Sequence, residues 1–80
     1  MSDNRDKLRA AFREALGLPA DAVVDELAYR AVKEWDSVAH MQLVATIEGA
    51  FDLMLDTDDV IGMSSFAAAR AIVEKHGVAL

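Results

Sequence analysis

The apolar positions of this chain fall into groups with distinct spacings. Leu8, Ala11, Phe12, Ala15 and Leu16 recur at steps of three and four, which places them on one face of a helix. Asp3 or Asn4 can cap that helix, and Gly17 followed by Pro19 stops it. The strongest period begins at Asp36-Ser37, where a side-chain oxygen can satisfy the backbone N–H groups of a first turn. At about 100° per residue, His40, Leu43, Val44, Ile47 and Phe51 share one inward stripe. Gly49 falls on the opposite side, where it weakens the helix but costs no packing. The run Asp52-Leu53-Met54-Leu55-Asp56 reads as an irregular connector. Thr57 is expected to cap a short third helix carrying Asp58, Asp59, Val60 and Ile61, with Gly62 ending it. Ser64 or Ser65 then caps a last helix with Phe66, Ala69, Ile72 and Val73 inside, and Gly77 lies just past its end.

Residues 18–35 have no clean period. Pro19-Ala20-Asp21 can open a helical turn carrying Val23, Val24 and Leu27, and Tyr29, Val32 and Trp35 follow. A connection this long in so small a domain is unusual unless it serves a function or packs as a unit. Its apolar residues predict that it lies across the helices. The fold expected is all-α: a four-helix bundle with a short third helix and a long loop between helices one and two. Residues 1–80 are read as one domain.

Composition narrows the function classes. A chain of 80 residues buries only roughly 60–65% of its unfolded surface, which leaves little interior for an enclosed active site and weighs against an enzyme. There is no cysteine, so disulfides and thiolate metal sites are excluded, and any thiol chemistry must come from an added group. The polar start Met1-Ser2-Asp3-Asn4-Arg5-Asp6 lacks a signal-peptide core, and no apolar run has the length of a membrane span. A soluble, cytoplasmic, monomeric protein is expected. The net charge of −6 disfavours nucleic acid and anionic membranes as partners. No Lys or Arg stands between Lys33 and Arg70, while Glu34, Asp36, Glu48, Asp52, Asp56, Asp58 and Asp59 do. That half projects a negative field suited to steering toward basic protein surfaces; the plain alternative is a solvated acidic face.

An Asp-Ser pair at a helix start is ordinarily just a cap. The outward face of the same helix adds a second feature. Val38, Met41 and Ala45 sit about 100° to 160° round from the core stripe, rimmed by Gln42, Glu48 and Asp52. An exposed apolar patch edged with acids reads as a docking surface.

The segment from Trp35 through Asp36-Ser37-Val38, Leu43-Val44, Ile47 and Glu48 to Phe51 resembles the core of acyl carrier proteins. That family opens its second helix with Asp-Ser-Leu, followed by Leu-Val, an aliphatic residue, Glu and later Phe. The likeness extends over nearly the whole chain and suggests a free-standing carrier. It implies that a phosphopantetheinyl transferase moves 4'-phosphopantetheine from coenzyme A onto Ser37, within a signature that includes Asp36. It also implies that Val38, Met41, Gln42, Ala45 and Glu48 meet partner enzymes: acyl or aminoacyl ligases, condensing enzymes and transferases. The arm's thiol holds acyl groups as thioesters, and the carrier itself catalyses nothing. Fatty-acid members usually have acids at the positions of Ala39 and Gln42, and leucine at that of Val38. The departures point to a dedicated pathway. A peptidyl or aminoacyl carrier uses the same arm and serine, and the sequence does not separate the cargo classes.

Three rival readings compete with this one. Ser37 and His40 are neighbours on a helix and suggest a hydrolase, yet no nucleophile elbow or oxyanion hole is legible; His40 fits better at the top of the core stripe. Asp56, Asp58, Asp59 and Gly62 suggest a calcium loop, but the positions that need Gly and Glu hold Ile61 and Ala67. A non-enzymatic helical interaction module would use Trp35 and Met41 as anchors and carry no arm.

Overall fold

The computed structural model describes residues 3–31 and 33–80. Four helices form in chain order: α1 (Asp3–Leu16), α2 (Ser37–Phe51), α3 (Thr57–Gly62) and α4 (Phe66–Lys75). The all-α architecture with a short third helix and a long first connection agrees with the periodicity. Leu8, Ala11, Phe12 and Leu16 of α1 are buried against Leu43, Val44 and Ile47 of α2 and Phe66, Ala69 and Val73 of α4. His40, Phe51 and Ile72 are half-buried at the margins of their stripes. Phe12 is the hub, meeting Trp35 edge-on at 5.4 Å and Phe66 at 5.0 Å between ring centroids. Such pairs add about 0.5–1.5 kcal/mol each beyond their buried area.

The caps correct several sequence expectations. Asn4 lies inside α1 and donates to the Ala79 carbonyl, 3.0 Å away, so it is not the cap; the side chain of Asp3, the other candidate, lies outside the described residues. Asp56, not Thr57, caps α3, its carboxylate accepting from the Asp59 N–H. A carboxylate reaches the orphan donors with charge, which the helix dipole favours. Gly62 is the last residue of α3 and Met63 its C-cap. Ser65 caps α4 through the Ala68 N–H, and Gly77 follows the C-cap His76 with φ of 93°, a conformation that glycine adopts without strain.

No helix forms at Pro19-Ala20-Asp21. A single turn closes there, Ala22 N–H to the Pro19 carbonyl at 3.0 Å. Val23 is exposed, Leu27 half-buried, and only Val24 of that trio enters the core. Val32 lies outside the described residues. The loop is held by polar ties instead of helix formation. Arg9 grips Asp25 with two parallel bonds of 2.8 and 2.9 Å, which keeps the Asp25 carboxyl below its ordinary range. Arg13 donates to the Ala22 carbonyl. As expected, the loop crosses the helices, and it plugs the core with Val24 and a fully buried Trp35. Its later part is stitched to the start of α4: Tyr29 N–H donates to Ser64 O, and Phe66 N–H to Leu27 O.

Candidate functional site

The start of α2 is built by a division of labour between two adjacent residues. Asp36 is the N-cap, with extended backbone (φ −105°) and a carboxylate oxygen 2.9 Å from the Ala39 N–H. Its carbonyl accepts from His40 N–H at 2.8 Å. Ser37 is therefore the first helical residue and its side chain does no capping. It is exposed, and its hydroxyl meets the Tyr29 hydroxyl at 3.1 Å. Two other hydroxyls serve the fold: within α2 Thr46 donates to the Gln42 carbonyl, and Ser65 caps α4.

Beneath Ser37 lies an aromatic stack. His40 packs nearly parallel to Trp35, 6.0 Å between centroids, and Tyr29 crosses His40 at 5.2 Å. The Trp35 indole N–H donates to His40 Nδ1 at 3.0 Å, and His40 Nε2 lies 2.8 Å from the Val60 carbonyl. An indole N–H can only donate and a carbonyl can only accept. His40 thus carries its hydrogen on Nε2, and both ring nitrogens are engaged. This overturns the pairing of His40 as a base with Ser37 as a nucleophile, since no lone pair of His40 faces the serine.

A cavity of about 270 Å³ opens between the loop, α2 and α3, lined by Tyr29, His40, Val60, Ile61, Met63 and Ser64. Tyr29 forms its border with Ser37. Along α2 the remaining site candidates divide. Val38 and Met41 are 71% and 61% exposed, and Gln42 and Ala45 are exposed beside them. Glu48 is half-buried, and its carboxylate accepts from the Leu55 N–H at 2.8 Å. Its main visible task is to tie the connector back onto α2. Met54 in that connector and Ile61 of α3 are also large exposed apolar residues.

The acidic run does not form a metal site. Asp56 caps α3, and Asp59 is 3% exposed, bound by Lys75 and by His76 Nε2 at 2.8 Å. Those hydrogen bonds, Lys75 first, hold its carboxyl at about 2, below the ordinary 3.8. Among the described residues no group of three or more His, Cys, Asp or Glu is placed to hold a metal ion. Sequence reasoning missed the Tyr29–Ser37 contact and the buried Asp59. Tyr29 stands in a stretch without period, and Asp59 looks like its solvated neighbours until Lys75 and His76, sixteen and seventeen residues on, fold against it.

The residues at the head of α2 fit an added phosphodiester. Ser37 presents an exposed hydroxyl, free of any capping task, at the N-terminus of a fifteen-residue helix, where first-turn N–H groups and the helix dipole favour an anion. A comparison with curated proteins finds no match. The family model for the phosphopantetheine attachment site matches residues 6–73, taking in parts or all of all four helices and the whole first loop. The chain thus belongs to the phosphopantetheine-attachment family of carrier domains, which hold 4'-phosphopantetheine covalently and are acted on by partner enzymes.

Proposed function

We propose that residues 1–80 act as one acyl carrier domain, with the arm attached at Ser37 and intermediates of a dedicated biosynthetic pathway carried as thioesters. The observation that supports this most is that Asp36 takes the capping task, which leaves the Ser37 hydroxyl exposed and free of capping at the head of α2. In loading, Ser37 Oγ bonds to the phosphorus of coenzyme A that bears the pantetheine. The pyrophosphate bond breaks, adenosine bisphosphate leaves with the electron pair, and the serine proton passes to a base of the transferase. Once attached, the arm supplies the thiol that this cysteine-free chain lacks.

The chain's own residues hold and present. The α2 N-terminus stabilises the anion at the arm's root. The largely apolar cavity bordered by Tyr29 gives a short acyl group a place out of water, which favours acyl over peptidyl cargo. Val38, Met41, Gln42 and Ala45 offer partners an exposed patch, with Glu48 shaping its rim. Those partners are a phosphopantetheinyl transferase, a ligase that loads the thiol, and condensing or transferase enzymes that unload it. The test is incubation with coenzyme A and a broad-specificity phosphopantetheinyl transferase, read by intact-protein mass spectrometry. One phosphopantetheine should be added to the wild type and none to Ser37→Ala; equal addition to both would contradict the assignment.

A further inference from the structure

The chain has one tyrosine, and its hydroxyl is spent on Ser37. Packing does not require that hydroxyl: the ring contacts of Tyr29 with His40 and Trp35 would be met equally by phenylalanine. The backbone nevertheless goes to some length to bring it there. Tyr29 N–H is tied to Ser64 O at 2.8 Å. The next residue, Arg30, takes the left-handed conformation at φ 65°, which is unfavourable for a residue with a Cβ. From there Arg30 N–H donates to Trp35 O at 3.2 Å. The reversal lays Trp35, Asp36 and Ser37 under the ring they follow.

We propose that Tyr29 is the positioning residue of the attachment site: its hydroxyl sets the Ser37 side chain for modification and then donates to the phosphodiester at the root of the arm. The inference rests on the reading of Ser37 as the attachment residue. Before attachment, either hydroxyl of the pair can donate. Afterwards Ser37 Oγ has no hydrogen, so the Tyr29 O–H is the one donor of the pair that remains. Its acceptor is then part of an anionic group, and hydrogen bonds to charged acceptors are shorter and stronger than neutral ones. Such a donor is needed, because the Asp36 carboxylate stands one residue from the new anion and repels it. Arg30 and Lys33 line, with Trp35 and Asp36, a hollow of about 140 Å³ on the same stretch of loop.

Two forms of the full chain test the role. Tyr29→Phe keeps the ring and removes the hydroxyl, and growth on ring-fluorinated tyrosine labels Tyr29 alone. Both are loaded from coenzyme A by the transferase, followed by mass spectrometry, and then examined by phosphorus and fluorine NMR. Tyr29→Phe should load about three- to ten-fold more slowly, the factor one net hydrogen bond carries. Its phosphodiester phosphorus resonance should differ from that of the loaded wild type. The fluorine resonance of the labelled wild type should shift on loading. The resonances decide: if neither moves, the proposal is overturned whatever the rate, since a slower rate alone is what a loosened loop would give. The fluorine signal decides if Tyr29→Phe does not fold. Loading that persists in Ser37→Ala overturns the attachment reading itself, a result distinct from loading confined to Ser37 with Tyr29 silent.

Discussion

His40 shows how much one side chain can be asked to hold at the mouth of this site. Its Nδ1 accepts from a fully buried tryptophan, its Nε2 donates to the backbone of α3, and its ring fills the space between Trp35 and Tyr29. Replacing it leaves two polar groups without their partners and removes a stacked ring. His40→Ala should therefore lose about 2–4 kcal/mol of unfolding free energy. Urea unfolding followed by fluorescence of the single tryptophan, Trp35, measures this; a loss under about 0.5 kcal/mol, less than a typical net hydrogen bond, would show that the network is not what orders the site. The helical phase of His40 placed it at the top of the core stripe, and that much was legible. Its tautomer was not, because both partners come from segments, residue 35 and residue 60, whose position no local pattern fixes. Ser37 was legible through its neighbours: the Asp before it and the stripe after it set the helix start. That Asp36 would take the cap and leave the serine free of it was not legible, since either residue type caps well. Tyr29 was invisible as a site residue for the reason that the loop has no period.

At the scale of elements, α3 is the least self-sufficient. Six residues cannot sustain a helix in water, so α3 depends on the Asp56 cap, the His40–Val60 bond to α2, and Asp59 clasped by Lys75 and His76 at the end of α4. Asp59 makes that dependence sensitive to acid. Its carboxyl is held at about 2 against an ordinary 3.8, so the folded state favours the charged form. The stabilisation is present in full above about pH 4 and is lost as the pH falls through about 2. Asp59→Asn should lower the thermal midpoint at neutral pH, and the gap to wild type should close as both are acidified across that window. A gap independent of pH would mean that the clasp is not electrostatic. The element pattern itself was largely readable: three helices sit where the apolar spacing put them, and α3 where its capping residues did. What failed was at the edges, where Thr57 yielded to Asp56 and the turn at Pro19 closed once without continuing through Val23, Val24 and Leu27. Several capping residues in a row are interchangeable on paper, and a loop held by Arg9–Asp25 and Arg13–Ala22 ties leaves no periodic trace.

For the molecule as a whole, the loop, α2 and α3 converge on one end, where Ser37, the cavity and the exposed Val38 and Met41 lie together. With a net charge of −6 and no Lys or Arg from residue 34 to residue 69, the proposed docking face of α2 would suit basic partner surfaces. Met41→Glu places a charge in the apolar part of that face while facing solvent. It should leave the thermal midpoint nearly unchanged and reduce loading by the transferase by about ten-fold or more, the cost of spoiling an interface anchor. Undiminished loading would move the docking surface elsewhere, toward Met54 and Ile61. The central claim, that the arm hangs from Ser37, is tested most directly by fragmenting the loaded wild-type chain in the mass spectrometer and finding the residue that carries the added mass. The account predicts phosphopantetheine on Ser37 alone. Finding it on Ser64, which also lines the cavity, or on any other hydroxyl would contradict the account.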